Sequence, residues 1–241
     1  MNYVSSVNFV LVHGSWHGGW CWKRVVPFLL LAKHAVHTPT LSGLGDKAHI
    51  ASPEHDLNTH IEDIRAYIEL HDLDDVVLVG HSYAGMVISG VVDRIASRIR
   101  RLVFLDAFVP QNGQCVADLI SAERLQALEQ LRTAGNWRTA PVSLDQLGVL
   151  LPADRAWVEP RLTPNLTRTF HTPLNLATNA LDQVAKSYIW CRENSGTFAH
   201  FAASARAAAL DYHEIDAGHD AMITKPKATA DILLAIAALS C

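Results

Sequence analysis

Short apolar runs alternate with segments of helical periodicity along most of the chain. The strongest run covers residues 76–79, where four consecutive apolar residues lead into Gly80 and Ser82. Runs that are apolar at every position are typical of strands buried on both faces of a parallel sheet. The pattern predicts strands over residues 8–13, 35–40, 76–79, 101–106, 186–191 and 211–215.

Helical spacing fills the intervals between these runs. Within residues 56–71, Leu57, Ile61, Ile64 and Ile68 recur every three or four positions, which places them on one helix face. Helices are predicted over residues 19–32 (with an interruption near Pro27), 56–71, 83–97, 198–209 and 226–239. Strands that alternate with helices predict an α/β fold with a mostly parallel central sheet and helices on both faces.

The alternation stops between residues 110 and 182. After Pro110 this segment contains five further prolines and only short amphipathic pieces, such as residues 122–131. Because proline ends helices and is excluded from central strands, the segment is predicted to be an inserted cap. We predict a core formed by residues 1–107 and 182–241, with a cap, or lid, formed by residues 108–181.

Composition narrows the classes of function. The chain has 241 residues, 49% hydrophobic residues and a formal net charge of −4, which does not indicate nucleic acid or an anionic membrane as a partner. No apolar run approaches the roughly 18 residues of a membrane span, and the N-terminal segment does not resemble a secretory signal. Four scattered cysteines without CxxC spacing predict neither a disulfide framework nor a zinc site. We therefore expect a cytoplasmic protein without metal or cofactor.

Ser82 lies where a buried strand turns directly into a helix. The flanking residues Gly80, Ala84 and Gly85 are small, which a sharp strand-to-helix corner requires. Such a corner lifts the serine hydroxyl out of the backbone, although Ala84 occupies the position of the last glycine in the G-x-S-x-G pattern. Ser82 is the predicted nucleophile; an ordinary turn serine is the alternative.

A serine nucleophile needs a base, and His219 is the predicted one. It follows the last predicted strand and a short turn, immediately before the C-terminal helix. The ordinary pKa of histidine lies near neutrality, which suits proton transfer. Most of the other twelve histidines are interpreted as surface or packing residues.

The negative charge that develops on a substrate oxygen needs two backbone N–H donors. One is expected from Tyr83, the residue after the nucleophile, and the other from Ser15 in the glycine-containing loop after the first strand. That loop matches neither a phosphate-binding loop nor G-x-G-x-x-G.

Several segments carry a family resemblance: His13-Gly14 with Trp20 and Trp22, residues 41–46, Gly80-His81-Ser82 and Gly218-His219. Together they resemble the α/β-hydrolase superfamily. More narrowly, they resemble the branch of plant methylesterases, salicylate-binding esterases, hydroxynitrile lyases and bacterial esterase relatives. The resemblance implies the α/β-hydrolase fold and a serine esterase.

The chain departs from the plant pattern at the acid, the residue that orients the histidine base and completes the catalytic triad. Plant members carry an aspartate on the loop after the penultimate strand, where this chain has Asn194. Asp106 ends the apolar strand that follows the Ser82 corner in the chain, at a position that carries the acid in certain related dehalogenases and lipases. Asp106 is the predicted acid, and Glu193 is the alternative.

The resulting prediction is a serine carboxylesterase that acts on small esters. Trp16, His17, Phe108 and Trp157 are the candidate substrate-pocket residues, and we consider a homodimer as the assembly. A ligand-binding receptor with slow turnover is one alternative. A hydroxynitrile lyase is less favoured, because those lyases have threonine at the position of Gly14 and lysine at that of Asp220.

Overall fold

The computed structural model describes residues 6–194 and 196–239. The strands in these ranges are β1 Asn8–Val12, β2 Ala35–His37, β3 Val76–His81, β4 Ile99–Leu105, β5 Arg138–Thr139, β6 Asn165–Leu166, β7 Lys186–Cys191 and β8 Asp211–Ile215. The α-helices are α1 Val26–Leu31, α2 Leu57–Leu70, α3 Ala84–Ile95, α4 Ala122–Thr133, α5 Pro152–Val158, α6 Arg168–His171, α7 Ala180–Gln183, α8 Ala199–Ala207, α9 Ala221–Thr224 and α10 Pro226–Ala237. No helix in the described ranges has the length and apolar character needed to cross a bilayer.

Six strands form a parallel sheet in the order β2-β1-β3-β4-β7-β8, which confirms the predicted α/β-hydrolase fold. Successive side chains of a strand point to opposite faces, so each strand contributes to two cores. Val10 and Leu78 pack on the face covered by α2, α3 and α8. Phe9 and Val77 pack on the face covered by α1 and α10. This double burial explains why β3 is buried at every position.

The strand order also locates a crevice. β1 lies between β2 and β3, so the chain runs to opposite sides of β1 in its first two crossovers. In open parallel sheets, ligands bind beyond the carboxyl ends of the strands at such a switch point. The loops after β1 and β3, which contain Ser15 and Ser82, meet there.

Two element boundaries differ from the pattern. The helix predicted over residues 19–32 is a 3-10 turn, Gly19–Trp22, followed by α1, because Pro27 occupies the first turn of a new helix where its missing N–H is not needed. The strand predicted over residues 35–40 ends at His37. The other predicted strands and helices are present with end shifts of a few residues.

The segment between β4 and β7 contributes no strand to the main sheet. It contains α4 to α7 and the two-stranded antiparallel sheet of β5 and β6. This arrangement is consistent with an insertion, and the boundaries at residues 107 and 182 stay predictions.

Candidate active site

Ser82 occupies a strained corner between β3 and α3. Its φ of +57° lies in the left-handed region, which side chains other than glycine rarely adopt. The Ser82 carbonyl accepts hydrogen bonds from the Gly85 and Phe108 amides, at 3.1 and 3.2 Å. A Cβ at Gly85 would lie 1.9 Å from the Phe108 carbonyl oxygen, so the small residue after Ala84 lets the loop that follows β4 pack against the corner.

His219 and Asp106 form a short polar contact near this corner. Nδ1 of His219 lies 2.6 Å from Oδ2 of Asp106, and Asp106 is fully buried. Asp106 also has a positive φ, +43°, as it leaves β4, and its Oδ1 accepts a 3.4 Å bond from the Cys191 amide. A carboxylate bound at Nδ1 holds the proton there and leaves Nε2 as the nitrogen that can act as a base.

Asn194 contacts both members of this pair. Its Nδ2 donates to Asp106 Oδ2 at 2.5 Å and lies 3.2 Å from His219 Nδ1. Because Nδ1 carries the proton that binds Asp106, the longer distance reports proximity rather than a second hydrogen bond. Glu193, the alternative acid, is exposed on the wall of the cavity, so the structure brings Asp106 and not Glu193 to the imidazole.

Two further contacts fix the His219 ring and backbone. Phe198 stacks on the imidazole with ring centroids 4.9 Å apart and planes 6° from parallel. The His219 carbonyl accepts a 3.0 Å hydrogen bond from Nε2 of His81. Burial, and then the neighbouring His219 and His17, lower the pKa of His81 well below its usual value, so His81 acts as a neutral donor.

Ser15 lies beside Ser82 because Gly14 allows close approach. A Cβ at Gly14 would lie 2.8 Å from the Cβ of Ser82. Ser15 and Ser82 both border the cavity, whereas the Tyr83 side chain is buried and binds His60 at 3.0 Å. The Tyr83 side chain therefore does not serve the site, and the expected contribution of Tyr83 is limited to its backbone.

Ser82 and His219 border one cavity of about 960 Å³. Much of its wall is apolar, and α4, which lies between β4 and β7 in the chain, forms one side. The apolar lining includes Phe108, Val116, Leu119, Leu128, Phe170 and Phe198. Trp16 also lines it, and the Trp16 indole N–H donates to the Thr139 carbonyl at 3.1 Å. The structure thus places two of the predicted pocket residues, Trp16 and Phe108, at the cavity.

The other two predicted pocket residues lie elsewhere, and this expectation is corrected. His17 is 1% exposed and faces Asp220 in the interior, because Trp16 has a φ of +66° and turns the loop between them. Trp157 packs edge-to-face on Trp20, and the guanidinium groups of Arg24 and Arg161 lie over its ring. Neither residue is part of the cavity wall.

The sequence-based interpretation missed Phe198 and treated Asn194 only as a substituted acid. Both lie on the loop after β7, near the carboxyl end of that strand. Loops at this edge of a parallel sheet converge, so every aromatic and amide side chain on them is a candidate contact for the base. The contact of Leu147 with the loop of the base was also missed. Its carbonyl accepts a 2.9 Å hydrogen bond from the amide of Asp220, the residue after His219.

Comparison with known proteins agrees with the fold. The chain is 39% identical to the carbendazim hydrolyzing esterase of Nocardioides sp. (strain SG-4G), an alignment that covers 95% of this chain and 99% of the relative. It is 28% identical to methylesterase 9 of Arabidopsis thaliana, over 95% and 98% of the two chains. An extracellular alpha/beta-hydrolase from a Paenibacillus species has a similar structure, with a TM-score of 0.83, 30% identity and coverage of 95% and 98%. The model of the alpha/beta hydrolase family matches residues 9–232, and the chain belongs to that family.

Proposed function

We propose that this protein is a serine carboxylesterase that hydrolyses small esters through an acyl-serine intermediate. The observation that carries the proposal is the 2.6 Å contact between Asp106 Oδ2 and His219 Nδ1, in a site where His219 and Ser82 border the same cavity. A carboxylate behind an imidazole beside a strained serine is the arrangement of a nucleophile, base and acid.

In the acylation half, Ser82 Oγ attacks the ester carbonyl carbon while His219 Nε2 takes the hydroxyl proton. Asp106 holds the imidazole and stabilises its positive charge. The carbonyl oxygen becomes an oxyanion, for which the Ser15 and Tyr83 amides are the proposed donors. His219 then gives its proton to the alcohol oxygen as the carbon–oxygen bond breaks.

Deacylation repeats these roles with water. His219 takes a proton from the water as its oxygen attacks the acyl carbon, and the anion-hole donors again stabilise the oxyanion. Collapse of this intermediate breaks the bond to Ser82 Oγ, which recovers its proton from His219. The products are a carboxylic acid and the free serine.

The cavity supports a compact, largely apolar substrate. Its walls combine aromatic and aliphatic side chains with a few polar groups, which is typical of small-molecule sites. The name of the Nocardioides relative makes carbendazim a reasonable second test compound, and the name of the Arabidopsis relative makes methyl esters reasonable ones.

Two alternatives are less well supported. A hydroxynitrile lyase would need a cation near the leaving cyanide, but Asp220 follows His219 and its side chain is buried against His17. A receptor with slow turnover would bind a ligand in the same cavity, and only kinetics separates it from an esterase.

Rapid mixing with p-nitrophenyl butyrate tests the proposal. An esterase releases a first equivalent of p-nitrophenol and then continues with steady turnover, whereas the Ser82→Ala variant should release p-nitrophenol at the background rate. Release that stops at one equivalent would favour the receptor. Undiminished turnover by Ser82→Ala would exclude Ser82 as the nucleophile.

A cytoplasmic location and a homodimer stay predictions. Fractionation of the source cells tests the first. Sedimentation velocity of the purified protein over a range of concentrations tests the second.

A further inference from the structure

A buried histidine–aspartate pair lies beneath the proposed catalytic site and connects two of its loops. Nε2 of His17 lies 3.0 Å from Oδ2 of Asp220, and the two side chains are 1% and 0% exposed. His17 lies two residues after Ser15, and Asp220 directly follows His219. The contact therefore joins the anion-hole loop to the loop of the base.

Both ring nitrogens of His17 face oxygen acceptors. Nε2 faces the Asp220 carboxylate, and Nδ1 lies 2.7 Å from the carbonyl oxygen of Ser15. A carbonyl and a carboxylate cannot donate, so each short contact requires an N–H on the ring. His17 is consequently an imidazolium in this arrangement. Although burial opposes the charged form, the negative charge and hydrogen bond of Asp220 raise the pKa of His17.

Several groups surround the pair without replacing either contact. Trp20 stacks on the His17 ring at 5.4 Å, and His81 lies edge-on at 6.2 Å. The second carboxylate oxygen of Asp220 lies 3.9 Å from His81 Nε2. The charge of His17 acts on His13, and the charge of Asp220 acts on Cys21 and Cys191. All three of these side chains are buried.

A buried ion pair is weak evidence for stability, because the desolvation of two charges offsets most of their attraction. Its value here lies in geometry, since His17 contacts the Ser15 carbonyl through Nδ1 and Asp220, the residue after His219, through Nε2. Loss of alignment at a reacting centre by about 1 Å costs on the order of 100-fold in rate. Loss of the pair therefore lets the two loops shift relative to each other, which slows acyl transfer.

We propose that His17 and Asp220 are positioning residues, whose pair holds the Ser15 backbone, which carries the proposed anion-hole amide, in register with His219. The proposal rests on the esterase function proposed above. Neither side chain touches substrate, since neither borders the cavity. The pair acts on the oxyanion and the base, so its loss reduces kcat and leaves KM nearly unchanged.

The test uses two near-isosteric variants, Asp220→Asn and His17→Gln. The first keeps an oxygen that can accept from His17 Nε2 and removes the negative charge; the second keeps one amide donor and removes the positive charge. Each is first titrated with diethyl p-nitrophenyl phosphate, whose p-nitrophenol release on phosphorylation of Ser82 counts the competent serines. Steady-state turnover of p-nitrophenyl butyrate is then expressed per competent serine.

We expect kcat per competent serine to fall about 10- to 100-fold in both variants, with KM changed less than threefold. Asp154→Asn is the matched control, because it removes the carboxylate charge from the partly buried Arg24–Asp154 pair, which lies outside the site. This variant should leave kcat unchanged. An unchanged kcat per competent serine in both variants would overturn the proposal. So would loss of competent serines together with cooperative unfolding in both, since the pair would then serve folding alone. Absence of turnover by the unaltered protein would instead contradict the esterase function.

Discussion

Oδ2 of Asp106 lies 2.6 Å from Nδ1 of His219, although 113 positions separate the two residues in the chain. β4 ends directly before Asp106, and β8 ends shortly before His219, so both residues emerge at the carboxyl edge of the same parallel sheet. Helices α4 to α8 and strands β5 to β8 lie between them in the sequence. The contact makes Asp106 the carboxylate best placed to orient the proposed base.

Exchange of the two candidate acids gives the most direct test of this assignment. Asp106→Asn should reduce kcat/KM for p-nitrophenyl butyrate by about 10³- to 10⁴-fold, because the imidazole loses both its orientation and its countercharge. Glu193→Gln serves as the matched control and should stay within a few-fold, since Glu193 is exposed. The reverse order of effects would transfer the role to Glu193.

Asn194 offers a second place for the acid. Its Nδ2 lies 3.2 Å from His219 Nδ1, so a carboxylate at this position can reach the imidazole. Asn194→Asp alone should lower activity roughly tenfold, because like charges at hydrogen-bond distance repel. The double variant Asp106→Asn with Asn194→Asp should recover at least about tenfold in kcat/KM over Asp106→Asn. A double variant no more active than Asp106→Asn would contradict the prediction.

Gly14 controls how closely the anion-hole loop approaches the nucleophile. Gly14→Ala places a methyl group 2.8 Å from Ser82 Cβ, so the loop must shift and kcat should fall by on the order of 100-fold. Gly135→Ala is the control, because this glycine has a positive φ of +77° and no described neighbour within 4 Å of an added Cβ. It should lose about 1 kcal/mol of unfolding free energy and keep its activity. Equal kcat values for Gly14→Ala and the unaltered protein would show that the loop is not constrained.

Acid should destabilise the fold through His13. Burial, partly offset by a hydrogen bond to the Gly14 carbonyl, lowers the pKa of His13 to about 3. Between the ordinary value near 6.5 and 3, the unfolded chain takes up a proton that the folded protein excludes, so stability falls as pH falls through this window. At pH 5 the loss from His13 amounts to about 2 kcal/mol.

Urea denaturation at pH 7 and pH 5 measures this loss. The His13→Gln variant lacks the titrating group, and it should show a smaller difference in unfolding free energy between the two pH values. Identical pH dependence in the two proteins would remove His13 as a source of acid sensitivity.

The sequence by itself determined the features that depend on local pattern. The apolar run before Ser82 and the small residues Gly80, Ala84 and Gly85 indicated a buried strand that turns sharply into a helix, because only small residues fit such a corner. Asp106, the carboxylate that ends the strand 101–106, was recognisable as a candidate acid, since a charge at the end of a buried strand needs a partner. The alternation of apolar runs with helical segments likewise sufficed to predict the parallel sheet.

Only the tertiary structure decided which distant groups meet. His17 was a candidate pocket residue, but the positive φ at Trp16 turns its side chain toward Asp220, a partner 203 positions away. The contacts of Asn194 and Phe198 with His219 likewise depend on how three strand ends converge. Local sequence determines whether a segment forms a strand or a corner, whereas the direction of a loop side chain depends on packing against segments that the local pattern does not contain.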